Sequence, residues 1–190
     1  MSNLTLTVLK ETEAENVYNT YMKTDFPKDE LKPFEMIKNH MLNGIYICLG
    51  IFESNTLIGY AFCLTDSDSS AVLLDYFAIL KEYRGSKNGS SALKKICRYF
   101  TEELSFAALI LESENPDFSK NEQDKKTRNR RISFYEKNDM HRQSFTTDLF
   151  GVKYCIFSYP KTDAKSALIS IYKKMLPKKH FESRLRIYEG

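Results

Sequence analysis

Leu73-Leu74-Asp75-Tyr76-Phe77-Ala78-Ile79-Leu80-Lys81-Glu82-Tyr83-Arg84-Gly85-Ser86-Lys87-Asn88-Gly89-Ser90-Ser91-Ala92-Leu93 is the stretch on which the fold turns. An apolar run breaks into a short polar loop between Arg84-Gly85 and Gly89, and a helical pattern opens at once behind it. A strand feeding a helix through such a loop leaves unpaired backbone N–H groups and the positive end of the helix dipole at one point. That combination suits a phosphate or pyrophosphate. Glycines at the loop's two ends allow positive φ and close approach of a ligand.

Outward from this joint the pattern is regular. Upstream, Leu4 to Leu9 alternates as a strand, Glu11 to about Thr24 reads as a helix, and a second helix starts near Leu31 or Lys32 and ends at Asn43-Gly44. Ile45–Phe52 and Thr56–Leu64 form a hairpin, and Ala71–Leu80, near-continuously apolar, reads as a central strand. The helix behind the loop, from Ser90 to about Leu104, carries one stripe: Leu93, Ile96, Cys97, Phe100 and Leu104. Downstream, Ala107–Leu111 is a buried strand, 115–127 a polar surface loop, and Arg128–Lys137 a short helix. Ser144–Phe150 and Val152–Tyr159 close the pattern as a hairpin through Gly151. A last helix, capped by Thr162 or Asp163 and ended by Pro177, precedes a basic tail.

The bulk properties exclude more than they assign. A 42% hydrophobic share describes a globular chain, and 190 residues suffice for one domain with a substantial core. With 28 basic residues interspersed among 25 acidic ones, the charge does not argue for nucleic acid. Cys48, Cys63, Cys97 and Cys155 are far apart and sit in apolar surroundings, as reduced buried thiols do, and His40, His141 and His180 have no ligand set around them, so no metal is expected. Met1-Ser2-Asn3-Leu4-Thr5 shows no signal peptide and no apolar run approaches the ~18 residues of a membrane span, so the expectation is a cytoplasmic protein away from membranes.

Arg84-x-x-x-x-Gly89, set in the order β-α-α-β-β-β-α-β-α-β-β over residues 4 to 159, resembles the acyl-CoA loop of the GNAT superfamily of N-acetyltransferases, as in its bacterial members. The usual loop has glycine where this chain has Lys87, and an apolar residue where it has Asn88. Arg130-Arg131-Ile132-Ser133-Phe134-Tyr135-Glu136-Lys137-Asn138-Asp139-Met140 resembles the superfamily's later Phe-Tyr motif, with Asp139 and Met140 in place of a Gly-Phe turn. Asp is among the residues that tolerate the left-handed region best, so the turn survives the change.

The resemblance implies a mixed α/β fold: a central, mostly antiparallel sheet of about seven strands flanked by helices, with an extra C-terminal helix. It implies a GNAT-like domain over residues 1–160 and a helical extension over 161–190 packed on it. It implies an N-acetyltransferase that moves an acetyl group from acetyl-CoA to a primary amine by direct attack in a ternary complex. The pyrophosphate would be held by Arg84, Gly85, Ser86, Lys87, Asn88, Gly89 and Ser90, and the thioester carbonyl by the main chain of Ile79 and Leu80. Tyr135 would lie beside the CoA sulfur and protonate the departing thiolate, since a phenol stays protonated at neutral pH.

Glu112, at the end of the strand behind the CoA helix, would take the ammonium's proton; Glu114 is as well read as a solvated strand-end carboxylate. Asp75, in an apolar strand, needs a partner such as Arg131 if buried, or orients the substrate amine. The acceptor is a small-molecule amine or a protein amine, and a homodimer is left open. The rival reading is a non-catalytic CoA-binding or regulatory domain on the same fold.

Overall fold

The computed structural model describes residues 4–28 and 30–190; the reading of Met1-Ser2-Asn3 as free of a targeting segment lies outside them. The fold is mixed α/β. Among the described residues, eight strands form one mostly antiparallel sheet in the order β1-β2-β3-β4-β5-β7-β6-β8, flanked by helices. The chain divides into two compact units, Met1–Thr65 with Leu74–Ile96, and Asp66–Leu73 with Cys97–Gly190.

In the first unit, β1 (Leu4–Val8) leads into α1 (Glu11–Val17). That helix widens through a π turn at Tyr18–Met22 and finishes as α2 (Lys23–Asp25). A second helix, α3 (Phe34–Leu42), starts directly after Pro33, whose fixed φ suits a helix start. Then come β2 (Tyr46–Glu53), β3 (Thr56–Asp66) and β4 (Ala71–Ile79). The β1–β2 and β2–β3 pairs are antiparallel, with Leu6 opposite Ile51 and Leu49 opposite Ala61. β3 is buried from Ile58 to Asp66: its apolar run to Leu64 requires it, and the buried Asp66 that follows is paired with Lys174.

The helix behind the polar loop is α4 (Asn88–Arg98), and it runs into a second π turn, Tyr99–Glu103. Leu93, Ile96, Cys97 and Phe100 are buried as their spacing demands, but Leu104 is exposed. The wider π turn changes the angle per residue, so position 104 rotates off the stripe that a regular helix would have continued.

The second unit holds β5 (Ala108–Glu114), α5 (Glu122–Glu136), β6 (His141–Leu149) and β7 (Val152–Tyr159). After these come α6 (Lys165–Met175), α7 (Lys178–Arg184) and β8 (Leu185–Glu189). β5 and β6 both pair antiparallel with β7. The expected loop over 115–127 is instead a 3-10 turn, Pro116–Phe118, followed by the opening of α5, where Asn121 caps the helix by accepting from the Asp124 N–H. Glu122 to Arg131 are all polar, so this part of the helix has no apolar period to betray it; a cap and an ion-pair cluster hold it.

The basic tail also departs from expectation. Leu185 and Ile187 alternate with Arg186 and Tyr188, and β8 pairs with β6 (Thr147 opposite Ile187), making eight strands where about seven were expected. Its charged neighbours mask a five-residue alternation too short to stand out. Among the described residues no helix is long and apolar enough to cross a membrane.

Candidate active site

The loop is built by two residues in the left-handed region. Gly85 has φ +93°, and Lys87 has φ +61°. Lys87 thus keeps the conformation that glycine would supply, at a cost of about 1 kcal/mol. Gly89 lies in the first turn of α4. The chain from Ser86 to Ser90 thus runs through a left-handed turn onto the N-terminus of α4, where N–H groups lack intrahelical partners, an arrangement suited to a pyrophosphate. Asn88 is buried and donates from Nδ2 to the Tyr83 carbonyl at 3.1 Å, tying the helix start to the turn before the loop.

The Arg84 side chain is half exposed, yet its guanidinium is tied to the protein. Its Nε donates to the Ile79 carbonyl at 2.7 Å and its guanidinium pairs with Asp25 at 3.0 Å. The Leu80 N–H donates to the Ile58 carbonyl at 2.9 Å, so it is committed to β3. Adjacent N–H groups in extended chain point to opposite edges, which turns the Ile79 N–H away from β3. Of the two main-chain donors expected at this strand end, the one from Leu80 is therefore taken up by β3.

In the second unit, Tyr135 sits in the last turn of α5, half-buried, with its ring 5.8 Å from that of Phe157 and 5.4 Å from that of Phe134. Burial pushes its phenol above the usual value, against the opposing pull of Arg131. The helix ends as the motif requires: the Tyr135 carbonyl accepts from the N–H groups of Asn138 and Met140, and Asp139 takes φ +64°.

Leu111 is paired with Phe157, and Glu112 with Ile156. Successive residues of a strand face opposite sides, so Glu112 stands on the side of β5 away from the Phe157–Tyr135 contact. There its carboxylate accepts from the hydroxyls of Tyr172 on α6 and Thr147 on β6. The structure does not bring Tyr135 and Glu112 together. Glu114 is paired with Arg128 and Arg131 at the strand end. Ser113, on the Tyr135 side, is buried, and its hydroxyl has no hydrogen-bond partner among the described residues.

The family model for the acetyltransferase (GNAT) family matches residues 12–139. The chain belongs to the GNAT acetyltransferase family. Among solved structures, a putative GNAT acetyltransferase from Bacteroides thetaiotaomicron is similar, with a TM-score of 0.70 and 18% identity over 93% of this chain and 98% of that one. Spermidine N-acetyltransferase from Vibrio cholerae, in complex with CoA and spermine, has a TM-score of 0.64 and 13% identity over 83% of this chain and 95% of that one. A dodecameric structure of the Vibrio cholerae enzyme gives 0.62 and 12% over 87% and 97%. No curated protein matches the sequence. As a GNAT member the chain is an N-acetyltransferase, and the reading as a non-catalytic CoA-binding domain gives way.

Two features of this GNAT chain were not legible in its sequence. Asp75 pairs with Lys32 Nζ at 2.6 Å and accepts from the Tyr46 hydroxyl at 2.5 Å, whereas Arg131 is on Glu114. The partner of Asp75 comes from a connection 43 residues away that no spacing rule reaches. The second is Asp25, whose two oxygens take Arg84 and the hydroxyl of Tyr60, the latter at 2.8 Å. It also helps line a cleft of about 150 Å³ with Tyr21, Thr24, Leu80 and Glu82. A carboxylate at the end of a short helix carries no sequence signal of that role.

Proposed function

We propose that this enzyme transfers the acetyl group of acetyl-CoA to a primary amine of a small molecule, by direct attack within a ternary complex. The observation that carries the reading is the loop from Ser86 to Ser90, shaped by Gly85 and Lys87 in the left-handed region ahead of the α4 N-terminus. The Vibrio cholerae neighbour, solved with CoA and spermine, supports a polyamine among the first acceptors to try. Cys48, Cys63, Cys97 and Cys155 are buried and form no disulfide among the described residues, which suits a reducing, cytoplasmic setting.

In this reading the loop holds the pyrophosphate and the Ile79 N–H is aimed at the developing oxyanion. The amine nitrogen bonds to the thioester carbon as the carbon–sulfur bond breaks. Tyr135 gives its proton to the leaving sulfur and regains one as the product nitrogen sheds its own. Glu112, held by Tyr172 and Thr147, is given the task of anchoring α6.

The direct test is purified protein with acetyl-CoA and a panel of spermine, spermidine, amino acids and peptide N-termini, read by free-thiol release and by an acetyl mass increment on the acceptor. Thiol release with none of these amines, beyond the rate of hydrolysis, overturns the reading. Gly89→Val is expected to weaken acetyl-CoA binding at least ~10-fold in calorimetry, because branched bulk at the helix start blocks approach of the phosphates. Its circular dichroism spectrum should stay native, and unchanged affinity would remove the loop from the site. Glu112→Gln is expected to keep the wild-type pH–rate profile on a verified acceptor. A profile displaced to high pH would return the role of base to Glu112.

A further inference from the structure

We propose that Asp25 is a positioning residue for the CoA loop, acting through Arg84. The inference rests on the reading of residues 84–90 as the pyrophosphate site. Tyr60, on β3 and fully buried, donates its hydroxyl to one oxygen of Asp25 at 2.8 Å, so the carboxylate is fixed from the sheet. The other oxygen takes the Arg84 guanidinium at 3.0 Å. Arg84 in turn holds the Ile79 carbonyl through Nε at 2.7 Å, closing a ring around the Lys81–Tyr83 turn. The loop's first residue is thereby clamped both to the strand that precedes it and to the end of α2. Its far end is clamped by Asn88 on the Tyr83 carbonyl.

Between these two clamps lie Gly85 and Lys87, the left-handed residues that aim the N–H groups. A loop held in its binding shape before the ligand arrives does not lose affinity to ordering. Arg84 is 54% exposed at its side chain, yet it is spent on Asp25 and Ile79, whereas a residue serving the phosphate by charge alone would have no need of either. Asp25 also lines the cleft beside Leu80, so the contact that sets the loop borders the place where strand β4 ends.

The experiment uses the full chain and four variants: Asp25→Asn, Tyr60→Phe, Arg84→Lys, and Asp25→Asn combined with Arg84→Lys. Calorimetry with acetyl-CoA should show each single variant binding ~5- to 10-fold more weakly. The double variant should bind no more weakly than Arg84→Lys alone, because both changes break one linkage. In Asp25→Asn and Tyr60→Phe, KM for acetyl-CoA should rise while kcat and acceptor KM hold. Wild-type affinity in both Asp25→Asn and Tyr60→Phe, or additive losses in the double variant, overturns the proposal and leaves Arg84 acting on the ligand by its charge. Amide hydrogen exchange of Ser91, whose N–H donates to the Lys87 carbonyl, separates this from the functional reading when measured without ligand. It should quicken in Asp25→Asn and Tyr60→Phe even if wild-type protein were found not to bind acetyl-CoA, and unchanged exchange would likewise overturn the proposal.

Discussion

Tyr135→Phe is expected to lower kcat by ~10²-fold or more while leaving acetyl-CoA affinity nearly intact. The substitution removes one oxygen. It keeps the ring that packs against Phe157 and Phe134, so the α5 C-terminus and its bonds to the Tyr135 carbonyl should persist. What is lost is the proton donor for the leaving sulfur. The raised pKa of the phenol, caused first by its burial, adds a pH signature: the wild-type rate should not fall on an alkaline limb near the ordinary tyrosine value, because the acid form persists above it. Single-turnover kinetics with a verified acceptor separates the chemical step from product release. A phenylalanine variant with near-normal turnover would reduce Tyr135 to a packing residue.

Arg128→Ala is expected to destabilise the protein by about 3 kcal/mol, since it removes a buried guanidinium and leaves two part-buried carboxylates and two main-chain carbonyls without it. The Arg128 side chain is only 6% exposed; it pairs with Glu114 at 2.7 Å and with Asp124 at 3.0 Å. It also donates to the carbonyls of Asn115 and Phe118. Glu114 would keep Arg131, whose side chain is half exposed and 3.2 Å away. The backbone of Pro116–Phe118 would lose the group that ties it to α5. Urea denaturation of wild type, Arg128→Ala and Arg128→Met measures the effect, the methionine retaining much of the volume without the charge. A loss under 1 kcal/mol would place this cluster with ordinary surface ion pairs.

The same cluster shows where sequence reading ran out. Phe134, Tyr135 and the turn at Asp139 were legible because a motif ties each residue type to a local backbone need: a helix end and a left-handed position that Asp can fill. Lys87 was read as a departure from the loop motif. Its φ of +61° shows that the departure lies in the side chain and not in the backbone. The beginning of α5 was missed because capping and ion pairs, not an apolar stripe, hold it. Leu104 was misplaced because a π turn breaks the period on which the stripe argument depends.

The sequence by itself determined strands β1 to β7, the loop between β4 and α4 and the Phe-Tyr motif, and through these the family. Such features are local: alternation, helical period and turn chemistry act over a few residues, and each leaves its mark in neighbouring positions. Only the tertiary structure decided which side chains meet. It gave Arg84 to Asp25, Asp75 to Lys32 and Tyr46, and Glu112 to Tyr172. It also put Glu112 and Tyr135 on opposite sides of β5, although both had been expected in the chemistry. The physical reason is that a buried or half-buried charge must find a partner wherever the fold brings one. Those partners lie 29 to 60 residues away along the chain, a separation over which no local pattern carries information.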